Sequence, residues 1–190
     1  AIFPPMHVIE EIRDVIERIK GCSEKRVRWV DYKLIHLTLK FLGHVPIGEI
    51  DQVQDILGGV VKNTPAFILR LGKLGTFPIN GKVRALRLGI HETEGQLADL
   101  RTRITETLER MDFSADRHPF FPHVTLGRFQ NSDSIENNAY EDRCNRIRWH
   151  NASFTVDGVM LMRSRLTPKG SIYNQLASFP FGQSAQGFLD

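Results

Sequence analysis

The sequence predicts an α+β fold built from two similar halves, and three observations predict it. Two short strings, His36-Leu37-Thr38-Leu39 and His123-Val124-Thr125-Leu126, each place a histidine and a threonine at i and i+2 among apolar residues. On a β-strand that spacing turns both polar side chains to one face and the aliphatic ones to the other. The second observation is order. A strand near Ile2, a helix from Ile9 and a motif strand at His36 are echoed by a strand near Val83, a helix from Leu97 and a motif strand at His123. The third is that each motif is followed by a returning strand, Phe67 to Leu71 or Phe154 to Met162, and short linkers argue against independently folding units. Residues 1–190 are therefore expected to form one domain, with lobes meeting near 75–83.

The elements follow in order. Ile9, Ile12, Val15, Ile16 and Ile19 lie on one helical stripe between Pro4-Pro5 and Gly21, predicting an amphipathic helix near 7–20. Val27 to Val30 and Leu34 to Leu42 read as strands, and Ile50, Val53, Ile56, Leu57, Val60 and Val61 as a second helix after Pro46. Phe67 to Leu71 and Val83 to Ile90 are strands bracketing a turn-rich 75–81 connection. Thr93-x-x-Gln96 reads as a capping box for a helix carrying Leu97, Leu100, Ile104, Leu108 and Met111. The His123 strand follows, and Phe154 to Met162 is the last clear strand; 131–146 is polar and without period.

Composition sets bounds on function. With 41% hydrophobic and 25% charged residues the chain can bury a sizeable core. A net charge of +3 and a pI near 9.0 suit an anionic partner without reaching the dense basic patches of duplex binders. Cys22 and Cys144 sit in no C-x-x-C pattern, so a reduced, cytoplasmic setting is expected. No apolar run approaches the ~20 residues of a membrane span, and no signal-peptide pattern opens the chain. Neither a membrane nor an obligatory protein partner is expected.

Imidazole, with an ordinary pKa of roughly 6.5, can take and give a proton near neutrality. A single histidine in an apolar strand is ordinarily a core or surface residue. Two of them, 87 residues apart and each followed by a threonine, are an acid and base pair with hydroxyl donors for developing charge. The residues leave open which histidine gives and which takes. His7, His44, His91, His118 and His150 lack such a setting and are expected at the surface. Phe41 shares parity with Leu37 and Leu39, which predicts core packing, while Phe120 and Phe121 precede the second motif, where a loop could pack or stack a base. Arg128 lies at an odd offset from His123 and points away on an uninterrupted strand, unless a bend at Gly127 redirects it towards a phosphate.

The stretches Lys33 to Gly43 and Pro119 to Phe129, together with Arg163-Ser164-Arg165-Leu166-Thr167-Pro168, Gly170 and Tyr173, resemble the 2H phosphoesterases. Within them the chain is similar to the bacterial and archaeal RNA 2',3'-cyclic phosphodiesterases, also called 2'-5' RNA ligases. The resemblance implies a bilobal fold of two pseudo-symmetric lobes, with antiparallel-rich sheets flanking a central cleft lined by the motif strands. It also implies a first strand cut short at Ala1. The implied activity is metal-independent opening of RNA 2',3'-cyclic phosphate ends to a 2'-phosphate, with reversible, ATP-independent 2'-5' joining. No P-loop or adenylation lysine motif occurs, which fits ligation as the reverse reaction only. His36 is implied as proton donor and His123 as proton acceptor, with Thr38 and Thr125 on the phosphoryl oxygens and a basic residue at Arg128. No cofactor is implied; the partner is RNA ending in a cyclic phosphate, or a cyclic nucleotide. Two alternatives stand beside this reading: a 2',5'-oligonucleotide phosphodiesterase, and a mononucleotide-binding module of the same fold. A metal site is disfavoured because the two histidines lack a third ligand of suitable spacing.

Overall fold

Among the described residues, apolar side chains at helical spacing form three α-helices. The computed structural model describes residues 1–21, 27–79, 82–113, 119–129, 146, 147, 149, 152–167 and 170–182. Helix α1 spans Met6–Gly21, α2 Ile50–Val61 and α3 Gln96–Glu109. Their stripes, among them Ile12, Val15, Ile16, Val53, Leu57, Leu100 and Ile104, join one buried core. The first turn of α3 is not capped by Thr93. Gly95 takes the cap position in the left-handed region at φ 80°, and Glu92 reaches across to accept the amide of Gln96 at 2.8 Å. A longer acidic side chain upstream thus replaces the expected capping box.

The described residues also form seven strands: β1 (Val27–Trp29), β2 (Phe67–Ile79), β3 (Lys82–His91), β4 (His123–Phe129), β5 (Ser153–Val156), β6 (Gly158–Thr167) and β7 (Gly170–Pro180). Five of them make an antiparallel sheet in the order β1-β4-β3-β2-β5, and β6 with β7 make a hairpin. The expected turn at 75–81 is instead largely strand. β2 runs to Ile79 and faces β3 from Arg70↔His91 to Ile79↔Lys82, with bulges on the way. The single strand expected at Phe154 to Met162 breaks at Asp157. Its first part pairs with β2, its second with β7, so the chain changes sheets there. The segment 131–145 lies outside the described residues.

The expected strand Leu34 to Leu42 contracts to one paired residue. Tyr32–Leu34 form a 3-10 turn held by the Asp31 side chain, which accepts the Lys33 amide at 3.0 Å. Leu37 then bridges Ile2 on one side and Val124 on the other, all antiparallel. Beyond it Lys40 is drawn onto Glu109 of α3 at 3.4 Å, and Gly43 turns the chain at φ 70°. Pairing on both sides of one residue suffices to set which face each neighbour occupies.

Candidate active site

Leu37 and Val124 are 1% and 0% exposed, with their side chains in the core. Their antiparallel pairing therefore lifts His36 and Thr38, and His123 and Thr125, onto the opposite face. Extending that register by one residue each way sets Thr38 beside His123 and His36 beside Thr125. On the far edge of β4, Gly89 pairs with His123 and Arg87 with Thr125. The face thus carries two rows, Thr38-His123-Gly89 and His36-Thr125-Arg87. Each histidine stands next to the threonine of the other motif.

The two imidazoles are held alike. His36 Nδ1 lies 2.7 Å from the Leu34 carbonyl, and His123 Nδ1 lies 2.6 Å from the Phe121 carbonyl. A carbonyl can only accept, so Nδ1 carries a hydrogen in both rings and Nε2 is left to exchange the working proton. Rings fix the rest. Phe3 and Tyr173 lie 5.3 and 5.2 Å from His36, and Phe77 lies 4.7 Å from His123.

Burial is the main cause that holds His36 below the usual imidazole value of 6.5. The Leu34 carbonyl opposes it, and the charge of His123 adds to it. His123 is lowered likewise, first by burial, against the Phe121 carbonyl, and then by the positive charges of Arg87 and Arg128. The positive charge of a protonated His123 thus adds, as the smallest of the causes, to the lowering of His36.

Arg87 is the residue that the sequence reading missed. Its guanidinium lies over the Phe77 ring, 4.9 Å from Cζ to centroid, and its Nε donates to the Thr76 carbonyl at 3.3 Å. Gly75, opposite it in β2, has no side chain to lift it off the sheet. The available signal was alternation: in Ala85-Leu86-Arg87-Leu88-Gly89 the arginine has the parity opposite to two core leucines. Arg128 is exposed and shares this face after all. Between β3 and β4 the register passes from Arg87↔Thr125 to Leu86↔Gly127, so Leu126 is a bulged residue and the parity resets. Gly127 permits this crowding, since a Cβ there would stand 2.6 Å from Val27 Cγ1 and 3.2 Å from Trp29 Cε3.

A cavity of about 500 Å³ opens beside His36 and Thr38. Leu57, Ile104 and Leu108 line its apolar depth, and Arg163, Arg165 and Tyr173 also line it; His123 is not part of its wall. Phe41 also lines it and is 72% exposed, contrary to the core packing that parity predicted. The ladder ends at Leu37, so strand parity no longer governs residue 41. Phe120 is half-buried under Arg101, while Phe121 is exposed and meets Phe77 edge-on. His7, His44 and His91 are exposed, as expected, and His118 and His150 lie outside the described residues. Among the described residues no three His, Cys, Asp or Glu side chains cluster as metal ligands, and no helix is long and apolar enough to cross a membrane.

Comparison with known proteins places this geometry. The RNA 2',3'-cyclic phosphodiesterase of Geobacillus stearothermophilus is 30% identical over 184 residues, covering 94% of this chain and 56% of that protein. The chain thus spans little more than half of that relative. The RNA 2',3'-cyclic phosphodiesterase of Methanothermobacter thermautotrophicus is 28% identical over 176 residues, covering 90% of this chain and 92% of that protein. Among solved structures, E. coli LigT complexed with 3'-AMP shares the fold, with a TM-score of 0.76 at 24% identity over 95% of both chains. The sequence profile of the 2'-5' RNA ligase superfamily matches residues 4–168, a span that holds both motifs. The chain belongs to the 2'-5' RNA ligase superfamily.

Proposed function

We propose that this protein is a metal-independent phosphodiesterase that opens 2',3'-cyclic phosphates at RNA ends to a 2'-phosphate. The carrying observation is the interleaved pair of rows, which sets two Nδ1-anchored imidazoles and two threonine hydroxyls on one face. The names of the curated relatives, RNA 2',3'-cyclic phosphodiesterase, support the same substrate class.

In this reading His123 Nε2 takes a proton from water as the water attacks phosphorus. His36 Nε2 gives a proton to the departing ribose 3'-oxygen, and the phosphate stays on the 2'-oxygen. Thr38 and Thr125 donate to the non-bridging oxygens where charge gathers, and Arg87, beside Thr125, adds a charged donor. The assignment of base to His123 and acid to His36 follows the family resemblance; after burial, the charges of Arg87 and Arg128 favour the neutral form of His123 that a base needs. A nucleoside fits a cavity of the size found beside His36. With a 5'-hydroxyl in place of water as the attacking group, His123 takes its proton, the ribose 3'-oxygen again leaves with a proton from His36, and RNA is joined through a 2'-5' linkage without ATP. Residues 1–190 act as one domain, a reading supported by the bridges from Ile2 through Leu37 to Val124. The cytoplasm is the proposed setting.

The test is turnover of an oligonucleotide ending in a 2',3'-cyclic phosphate, with EDTA present and the product's regiochemistry determined. A 2'-phosphate formed at an undiminished rate is expected. A 3'-phosphate product, or loss of activity on chelation, overturns the reading.

A further inference from the structure

Residues 67–91, which supply β2 and β3, contain five lysines and arginines and no aspartate or glutamate, against a net charge of +3 for the whole chain. The register sets part of that charge beside His123. His123 pairs with Gly89, and the Ile90 amide donates to the Pro122 carbonyl at 2.9 Å, so the ladder continues with Phe121 opposite His91. His91 pairs in turn with Arg70, and Arg70 with Ser153. Paired residues of antiparallel strands share a face. A row Phe121-His91-Arg70-Ser153 therefore lies next to the row of His123, on the side away from His36, Thr125 and Arg87.

Phe121 is 56% exposed, so an aromatic surface is turned to solvent beside the catalytic pair. His91 lies down against β2: a Cβ on Gly72 would stand 2.5 Å from its Cδ2 and 2.7 Å from its Nε2, and glycine makes room for the ring. Arg70, His91 and Ser153 are exposed, and among the described residues neither Arg70 nor His91 forms an ion pair. An aromatic ring followed by an imidazole, a guanidinium fork and a hydroxyl suits a base followed by a phosphate. None of the four lines the cavity beside His36. In an in-line displacement the attacking and leaving oxygens lie on opposite sides of phosphorus. With the leaving oxygen at His36 and its nucleoside in the cavity, the attacking group comes from the side of His123, where this row lies.

We propose that Phe121, His91 and Arg70 form an acceptor subsite for a nucleoside 3'-phosphate whose 5'-hydroxyl attacks in place of water. The base stacks on Phe121, the 5'-hydroxyl reaches His123 Nε2, and the 3'-phosphate rests on Arg70 with His91 and Ser153 at its sides. The bond from the 5'-oxygen to phosphorus forms and the bond from phosphorus to the ribose 3'-oxygen breaks; His123 takes the hydroxyl proton and His36 gives one to the 3'-oxygen. The inference rests on the phosphodiesterase reading and adds a second nucleotide to the same centre. Filled, the row keeps water from His123 and turns opening into joining. Empty, it leaves water as the attacking group.

The experiment uses two 2'-5'-linked dinucleotides that differ only in whether the second nucleoside ends in a 3'-phosphate or a 3'-hydroxyl. In both, the first nucleoside is 3'-deoxy, so no 3'-hydroxyl can attack the linkage. Their binding to the wild type, Arg70→Gln, Arg70→Lys and Phe121→Ala is measured by calorimetry, alongside kcat/KM for hydrolysis of a 2',3'-cyclic mononucleotide. Circular dichroism checks that each variant is folded. The wild type is expected to bind the 3'-phosphorylated probe several-fold more tightly than the other. Arg70→Gln should lose that difference and Arg70→Lys should keep part of it, since it keeps the charge. Phe121→Ala should weaken both probes by a similar, several-fold factor, the loss of one stacked base. Hydrolysis uses no acceptor and should be unchanged in Arg70→Gln. Equal binding of the two probes by the wild type, a difference that survives in Arg70→Gln, wild-type binding by Phe121→Ala, or hydrolysis lost together with binding in Arg70→Gln each overturns the subsite. A wild type that leaves the cyclic mononucleotide intact refutes the phosphodiesterase reading instead, and the binding arm still judges the row.

Discussion

Replacing Arg87 by methionine separates its two effects. Methionine keeps an unbranched side chain against Phe77, where sulfur packs well on an aromatic ring, and removes only the charge and the fork. If the guanidinium donates to a phosphoryl oxygen beside Thr125, its loss removes a hydrogen bond to a charged group, about 1.5–3 kcal/mol. At 1.36 kcal/mol per tenfold, kcat/KM falls about 10- to 150-fold. The second effect is on proton affinity. Arg87 lowers His123, so its removal raises that pKa; a higher proportion of the base is then protonated at a given acidic pH, and the acidic limb of the profile moves to higher pH. Arg87→Lys should restore the position of the limb more fully than the rate, because it keeps the charge and loses the planar fork. The assay is kcat/KM on a cyclic mononucleotide across the neutral range. A loss below about 3-fold, with the limb in place, refutes the assignment, since it is far outside the range for a lost charged hydrogen bond.

The remaining predictions concern the motifs and their support. His36→Ala and His123→Ala should each lower kcat by at least ~10²-fold in folded protein. In the residual activity, loss of His36 should remove the alkaline limb and loss of His123 the acidic one; the reverse pattern exchanges their roles. Thr125→Ala should cost about 1.5–3 kcal/mol in kcat/KM while Thr125→Ser keeps much of the activity, and equal damage by both would point to packing through the methyl group. Gly127→Ala should destabilise by about 1–3 kcal/mol in chemical denaturation, because its methyl group would collide with Val27 and Trp29. A variant as stable as the wild type would show that β1 yields freely.

Local pattern made some of this site legible. The i, i+2 spacing in each motif gave the face of both histidines, because strand parity needs only the sequence itself. The stripes of α1, α2 and α3 were legible for the same reason. Pairing between distant segments was not. Nothing near Leu37 announces that it alone bridges Ile2 and Val124, so the strand expected to Leu42 was too long and Phe41 was assigned inward. The bulge at Leu126, which redirects Arg128, depends on β3 as partner. The break at Asp157 is a choice between two sheets, made by β2 and β7 and not by the residues that change course. Arg87 was hidden because its meaning comes from Thr125 and Phe77, neither of them near it in sequence.

The single-residue bridge at Leu37 also bears on how the cleft opens. His123 stands on a strand with continuous partners along β3, whereas His36 is tied to the first segment by just two backbone bonds, Ile2 to Leu37 and back, at 2.9 and 2.8 Å. Local opening free energy tracks the number of bonds that must break together. The amide of Leu37 should therefore exchange with deuterium faster than amides within β4. One histidine thus stands on a continuous ladder and the other beside a single bridging residue, and in the proposed mechanism the second is the acid. On the proposed mechanism, a small excursion of His36 would release product with His123 held in register on β4.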